Sequence, residues 1–137
     1  MKAVPMPPLA TQQEELKIMA KTVCKLLGIV FVIVGLCGFA APMLLGAHLT
    51  PTHNAVHIVS GLIALYFGFA GSLSGAKGFC LVFGVVYLAL GILGLVLGHD
   101  VWKVIDDLLM FGRVDDGIHI LLGVVFLAGG LFTKSGA

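Results

Sequence analysis

The sequence predicts an all-α integral membrane protein, a four-helix bundle built from two tandem helical hairpins. Hydrophobic residues make up 59% of the 137 residues, charged residues make up 11%, and the mean hydropathy is +1.11; soluble domains do not have this composition. A spanning helix needs about 20 mostly apolar residues, and four such stretches lie at 25–46, 54–73, 79–98 and 117–133. Their apolar residues run continuously, whereas the strands of a membrane barrel alternate apolar and polar residues.

The basic residues predict how the chain is oriented. Six of the eight fall on the side of the predicted bundle that also holds both termini: Lys2, Lys17, Lys21, Lys25, Lys77 and Lys134. Because basic residues concentrate on the cytoplasmic side of membrane proteins, we expect cytoplasmic N and C termini and a multi-pass protein of the bacterial inner membrane. The lysines are scattered along a membrane flank rather than clustered, so the expected partner is the lipid bilayer and not nucleic acid.

The chain divides into a tail with an amphipathic lead-in at 1–24, the four-span domain at 25–134 and a short C-terminal tail at 135–137. The first segment begins with a proline-rich stretch. Thr11 followed by Glu14 then fits a capping box, which predicts a helix that starts at Thr11 and continues into the first span.

Glycines and histidines recur in the two halves of the chain. The glycines of the first span recur 56 residues later in the third, as Gly28 and Gly84 illustrate, and His57 recurs 62 residues later as His119. This recurrence predicts two repeated hairpins, each starting from the cytoplasm. Because lipid provides no hydrophobic drive for helix association, glycines in spans allow backbones to approach. The predicted packing glycines are Gly28, Gly35, Gly38, Gly61, Gly84, Gly91, Gly94 and Gly123.

Polar residues mark where the second and fourth helices enter the membrane. Thr50 is a good N-cap and Pro51 suits the first helical position, while Asp115 or Asp116 is expected to cap the fourth helix. The predicted polar partners at the two entrances are Asn54, Asp115 and Asp116.

The connection between the third and fourth spans predicts a short amphipathic helix on the outer surface. Between His99 and Asp116, apolar residues that include Trp102 fall on one helical face, and charged residues fall on the other. Such a helix lies in the membrane interface, with the indole ring at headgroup depth.

The candidate site residues are His53, His57 and His119. Ionisable residues inside a span usually face the bundle interior or a wet cavity, and the repeat predicts that His57 and His119 approach one outward-opening locus. Three interpretations stay open. In the first, the imidazoles tie neighbouring helices together. In the second, the His53–His57 pair, one turn apart, binds a transition metal with His119, and Asp115, Asp116 and His99 are further candidate ligands. In the third, one or two imidazoles ligate a haem or chlorin.

The sequence contains no pattern of catalytic residues in a plausible setting, no phosphate loop and no nucleotide fingerprint, so we expect no enzymatic activity. The expected function is that of an accessory or structural subunit, which contacts a partner in a larger membrane complex, or a second copy of itself, through its outer face. The alternative is a membrane protein that binds a metal, haem or chlorin through His57 and His119.

Three motifs resemble a known family: His53-Asn54 followed by His57 and Gly61, then the stretch from Gly84 to Gly91, and finally Asp116 followed by His119 and Gly123. Together they resemble the bacterial four-span integral membrane family of unknown function catalogued as domain-of-unknown-function family 4383. The resemblance covers roughly Leu26 to Leu131. It implies a membrane bundle with both termini inside, and it implies no activity.

Overall fold

The protein is all-α, as the sequence predicts. The computed structural model describes residues 3–6, 8–43, 49–98 and 112–133, with only the backbone for residues 10–17. Over these residues there are four helices and no strand: α1 (Leu9–Ala40), α2 (Pro51–Phe69), α3 (Leu73–Leu97) and α4 (Arg113–Phe132). The predicted amphipathic helix around Trp102 and the C-terminal tail lie outside the described residues.

By length and composition, three of the described helices can cross a membrane: Ile18–Ala40 within α1, Leu73–Leu97 and Arg113–Phe132. The remaining helix, α2, has a first turn that contains Thr52, His53 and Asn54, and these residues lower its mean hydropathy. Large apolar side chains cover the outward faces and suit lipid rather than water. Those that are more than half exposed on α1 and α3 include Leu26, Ile33, Leu36, Phe39, Val82, Val85 and Val96.

The helix α1 differs from its prediction at both ends. It begins at Leu9 after Pro8, and no side chain caps it. The predicted start at Thr11 is therefore wrong, because Thr11 lies inside the first turn. The helix ends at Ala40, before residue 46 where the apolar stretch ends, because Ala41 precedes a proline and takes an extended conformation, with φ −133° and ψ 79°.

The capping of α2 agrees with the sequence, but that of α4 differs. The hydroxyl oxygen of Thr50 accepts a hydrogen bond from the His53 amide at 3.1 Å, and Pro51 follows at the first helical position. The helix α4 already begins at Arg113, so neither aspartate is its N-cap. Asp115 instead accepts a hydrogen bond from the Gly112 amide at 2.9 Å through its Oδ2 atom, which places a carboxylate in the positive first turn.

Each helix packs most extensively on one partner: α1 on α2, and α3 on α4. The eight glycines named from the sequence are all buried, and a Cβ added to any of them would come within 3.0 Å of an atom of the facing helix. For example, a Cβ on Gly35 would lie 2.8 Å from the Asn54 carbonyl oxygen, and a Cβ on Gly91 would lie 2.6 Å from the Asp116 carbonyl oxygen. These glycines thus permit close backbone approach.

The two helix pairs meet in a core of aromatic rings and thiols. Phe126 is fully buried and lies about equally far from four rings, with centroids 5.9 to 6.1 Å away on Phe31, Phe79, Phe83 and Tyr87. Nearer the lysine-bearing end, the sulfur atoms of Cys24 and Cys80 lie 3.7 Å apart and are fully buried. Both thiols are free, consistent with cysteines that pack as small apolar residues.

Candidate ligand site

A cavity of about 270 Å³ lies between α1, α2 and α4. All three candidate histidines line it, together with one carboxylate and apolar side chains. We call it the histidine cavity, and its lining consists of Val30, Phe31, Val34, Leu49, His53, His57, Asp115, Ile118, His119, Leu121 and Leu122. The structure thus brings His57 and His119 to one place, although they lie on different helices and 62 residues apart.

Helical spacing and packing place the imidazoles in the cavity wall. His53 and His57 are one turn apart on α2, so they share a face, and their ring centroids are 4.3 Å apart. His119 lies two turns into α4, whose first turn is at the same end of the molecule as the first turn of α2. All three side chains are more than nine-tenths buried.

Aromatic rings connect the two repeat histidines. The ring of Phe31 lies 5.5 Å from His57, the ring of Tyr87 lies 5.5 Å from His119, and Phe31 and Tyr87 lie 5.8 Å from each other. The result is a row of four rings from one imidazole to the other. Phe31 and Tyr87 occupy equivalent positions in the two halves of the sequence. Nothing in the sequence predicted that these rings would lie beside the histidines.

The Nδ1 atom of His57 has no hydrogen-bond partner among the described residues, although it is buried. A buried polar atom without a partner is costly, since it has lost its hydrogen bonds to water. His57 also lines the cavity, so a bound molecule with a hydrogen-bonding group can supply the missing partner.

The predicted polar partners at the helix entrances separate into two groups. Asp115 lines the histidine cavity. Asn54 and Asp116 lie instead against glycines: the Oδ1 atom of Asn54 occupies the space that a Cβ on Gly38 would need, and Asp116 does the same at Gly94. Asn54 also donates a hydrogen bond through Nδ2 to the Leu49 carbonyl at 3.4 Å. These two side chains therefore pack the outer ends of the helix pairs rather than line the cavity.

The described residues limit the kinds of ligand that the cavity can hold. Within the described part of the chain, no group of three or more histidine, cysteine or acidic side chains is arranged to bind a metal ion. Drug-sized ligands occupy pockets of roughly 300–1,000 Å³, so the histidine cavity is too small to enclose a tetrapyrrole. It can hold a smaller molecule or one end of a larger one. Two further histidines, His48 and His99, lie outside the described residues.

Helices that can cross a membrane, glycines at the helix contacts and a histidine-lined cavity define an α-helical membrane protein with a potential ligand site. The family model for the Domain of unknown function (DUF4383) matches residues 21–132. The chain belongs to this family, and the resemblance seen in the histidine motifs is confirmed. A comparison with curated proteins found no match, and neither did one with solved structures.

Proposed function

We propose that this protein is a non-catalytic, four-span membrane protein that binds a small lipid-soluble molecule in the histidine cavity. One observation carries the proposal: three imidazoles and a carboxylate from two helices line a single cavity whose remaining walls are apolar. Ligand sites commonly combine an apolar lining with a few convergent polar groups. Ionisable residues at membrane depth also point to function, because burying them in a bilayer is costly.

In this proposal the bundle consists of two repeated hairpins, and α2 spans the membrane with the other three helices. Equivalent contacts in the two helix pairs support the repeat. A Cβ on Gly35 would clash with Ile58 and a Cβ on Gly91 would clash with Ile120, at 2.6 Å in both cases. These residues are related by the same offsets of 56 and 62 that relate the two halves of the sequence. As one member of a tight helix pair, α2 can cross the bilayer despite its polar first turn.

The proposed orientation places the histidine cavity in the extracytoplasmic half of the bacterial inner membrane, with both termini in the cytoplasm. The described lysines lie near the helix ends remote from the histidines. Lys77 donates a hydrogen bond to the Thr133 carbonyl at 2.8 Å, just beyond α4, and the Lys25 ammonium lies 5.0 Å from the Phe69 ring centroid at the end of α2. Their position supports a cytoplasmic assignment for that end.

The other candidate function, an accessory subunit that contacts a partner through its outer face, depends on the connection between α3 and α4. That connection lies outside the described residues, so the contacts of the described residues favour the ligand-binding function.

The test is to purify the protein from its native membrane in mild detergent and to identify what is bound. Native mass spectrometry, an absorption spectrum and metal analysis together distinguish an organic molecule, a haem or chlorin, and a metal ion. We expect one small organic molecule for each protein chain, lost in His57→Ala and retained in Ser60→Ala. Ser60 is a suitable control because it is buried on α2 one turn from His57 and does not line the cavity. A protein without any bound molecule, whose histidine variants lose only stability, would refute the proposal in favour of the accessory subunit.

A further inference from the structure

We infer that the head group recognised by the histidine cavity is an aromatic ring carrying hydroxyl groups, as in a lipid-soluble quinol whose apolar tail remains in the bilayer. This inference rests on the proposed function and names its ligand class. It concerns binding alone. Four features of the cavity lead to it: its opening, its charge, its size and its hydrogen-bonding atoms.

The cavity opens toward lipid. Val30 of α1 and Leu121 of α4 both line it, yet they are 46% and 63% exposed. They therefore belong at once to the cavity wall and to the outward faces of helices that can cross a membrane. A molecule dissolved in the bilayer can enter sideways between α1 and α4 and leave its tail outside. A water-soluble metabolite is not dissolved in the bilayer and cannot enter by this route.

The charge of the lining excludes anionic lipids. Among the described residues that line the cavity, Asp115 provides a carboxylate and none is lysine or arginine. A phosphate or fatty-acid head group would lie beside this carboxylate with no lysine or arginine to offset the repulsion, at a depth where screening by water is weak. The head group is therefore neutral, or it carries a donor from which a carboxylate can accept a hydrogen bond.

The size and the aromatic wall favour a single ring. A volume of about 270 Å³ is small for a whole ligand, but it accommodates one substituted six-membered ring. Phe31 forms part of the lining and is itself in ring contact with His57. Aromatic surfaces pair favourably with a flat ring, in stacked or edge-to-face geometry.

The hydrogen-bonding atoms favour a hydroxyl on that ring. His57 Nδ1 is buried and lacks a hydrogen bond among the described residues. In the neutral tautomer that carries its proton on Nε2, this atom accepts a hydrogen bond, which a ring hydroxyl can donate. A phenolic O–H is more acidic than an aliphatic one and hence the stronger donor. A quinol carries two such groups on opposite sides of its ring, so a second one is available to the other polar groups of the lining.

The experiment measures binding of decylubiquinol, a quinol with a ten-carbon tail, to the full chain in lipid nanodiscs. The rise in unfolding temperature with ligand concentration gives the dissociation constant. Two probes serve as matched controls. The dimethyl ether of decylubiquinol keeps the ring and loses both donors, while 1-decanol keeps a hydroxyl and loses the ring.

We expect saturable binding of the quinol, with affinity for each control probe weaker by about tenfold or more. For the ether, a loss of about tenfold is the effect of a single lost hydrogen bond, and it is the minimum that the inference allows. His57→Phe should weaken quinol binding to a similar extent, and Ser60→Ala should not. The control probes act on the unaltered protein, so the test stands even if His57→Phe fails to fold. Equal binding of the ether or of decanol would overturn the inference.

The two proposals fail in different ways. If the purified protein contains a molecule that depends on His57 but binds no quinol, the ligand class is wrong and the proposed function stands. If it contains no molecule and its unfolding temperature does not respond to quinol, both are wrong.

Discussion

Replacing Gly123 with alanine should separate α3 from α4, and the structure gives the size of the effect. A Cβ at this position would lie 2.6 Å from the Leu88 amide nitrogen and 2.8 Å from both the Leu88 Cα and Cβ atoms. The first two are backbone atoms, so no side-chain rotation relieves the clash. Ordinary contacts between heavy atoms require about 3.5 Å, so the helices must separate by nearly 1 Å there.

The energetic outcome combines two opposing terms. Overpacking costs about 1–3 kcal/mol, whereas alanine favours a helix over glycine by up to about 1 kcal/mol. We therefore expect Gly123→Ala to lower the free energy of unfolding by about 1–2 kcal/mol. Gly117→Ala is the matched control, because it makes the same change on the same helix where an added Cβ meets nothing within 4 Å. It should be neutral or slightly stabilising.

The assay is equilibrium unfolding in mixed micelles of dodecyl maltoside and increasing dodecyl sulfate, followed by far-UV circular dichroism. Two variants of the same helix are compared, so differences in detergent binding largely cancel. If Gly123→Ala is as stable as Gly117→Ala, close backbone contact between α3 and α4 does not hold this bundle together, and the packing role of the other seven glycines fails with it.

Two further predictions concern the lysine-bearing end of the bundle and the proposed orientation. Thr133 is buried, and its hydroxyl accepts a hydrogen bond from the Ala20 amide at 2.7 Å, which links the end of α4 to α1. Thr133→Val should therefore cost about 1–2 kcal/mol in the same unfolding assay. Thr22→Val should cost much less, because the exposed Thr22 hydroxyl donates a hydrogen bond within α1, to the Ile18 carbonyl. If both variants lose the same free energy of unfolding, the hydrogen bond between Thr133 and Ala20 does not stabilise the bundle. For the orientation, a membrane-impermeant maleimide applied to whole cells should label Thr52→Cys but label Lys77→Cys only after permeabilisation, both in a cysteine-free background. The reverse pattern would place the histidine cavity in the cytoplasmic half.

Close contact at the glycines could be predicted from the sequence, because close approach of helices in lipid follows a simple rule. Lipid provides no hydrophobic drive for helix association, so close approach of two helices depends on glycine. Glycines at matched spacing in α1 and α3 therefore indicated the faces on which other helices pack. The repeated histidine likewise indicated one shared locus. Both conclusions depend on residue spacing along a helix, which the sequence contains directly.

Other features depended on contacts that residue spacing does not encode. The early end of α1 at Ala40 is an exception, because the sequence contains its cause, Pro42, but the apolar pattern continues past that proline. The row of rings through Phe31 and Tyr87 requires the two helix pairs to meet at a particular angle. The lateral opening of the cavity is likewise set by packing, because Val30 and Leu121 look like ordinary lipid-facing residues until α1 and α4 are placed side by side.

The equivalent positions of the two proposed hairpins differ in a way that separates packing from ligand binding. The glycines are the same in both copies, Gly35 matching Gly91 for example, because a helix contact at backbone distance tolerates nothing larger. At the cavity the copies differ: His53 in α2 corresponds to Asp115 in α4, and both line the histidine cavity. Identical copies would present two imidazoles at these positions. The observed pair presents an imidazole and a carboxylate, so the proposed ligand would meet two different hydrogen-bonding groups. A difference between the copies at the cavity, where the packing glycines are kept, favours a role in ligand binding over a purely structural one.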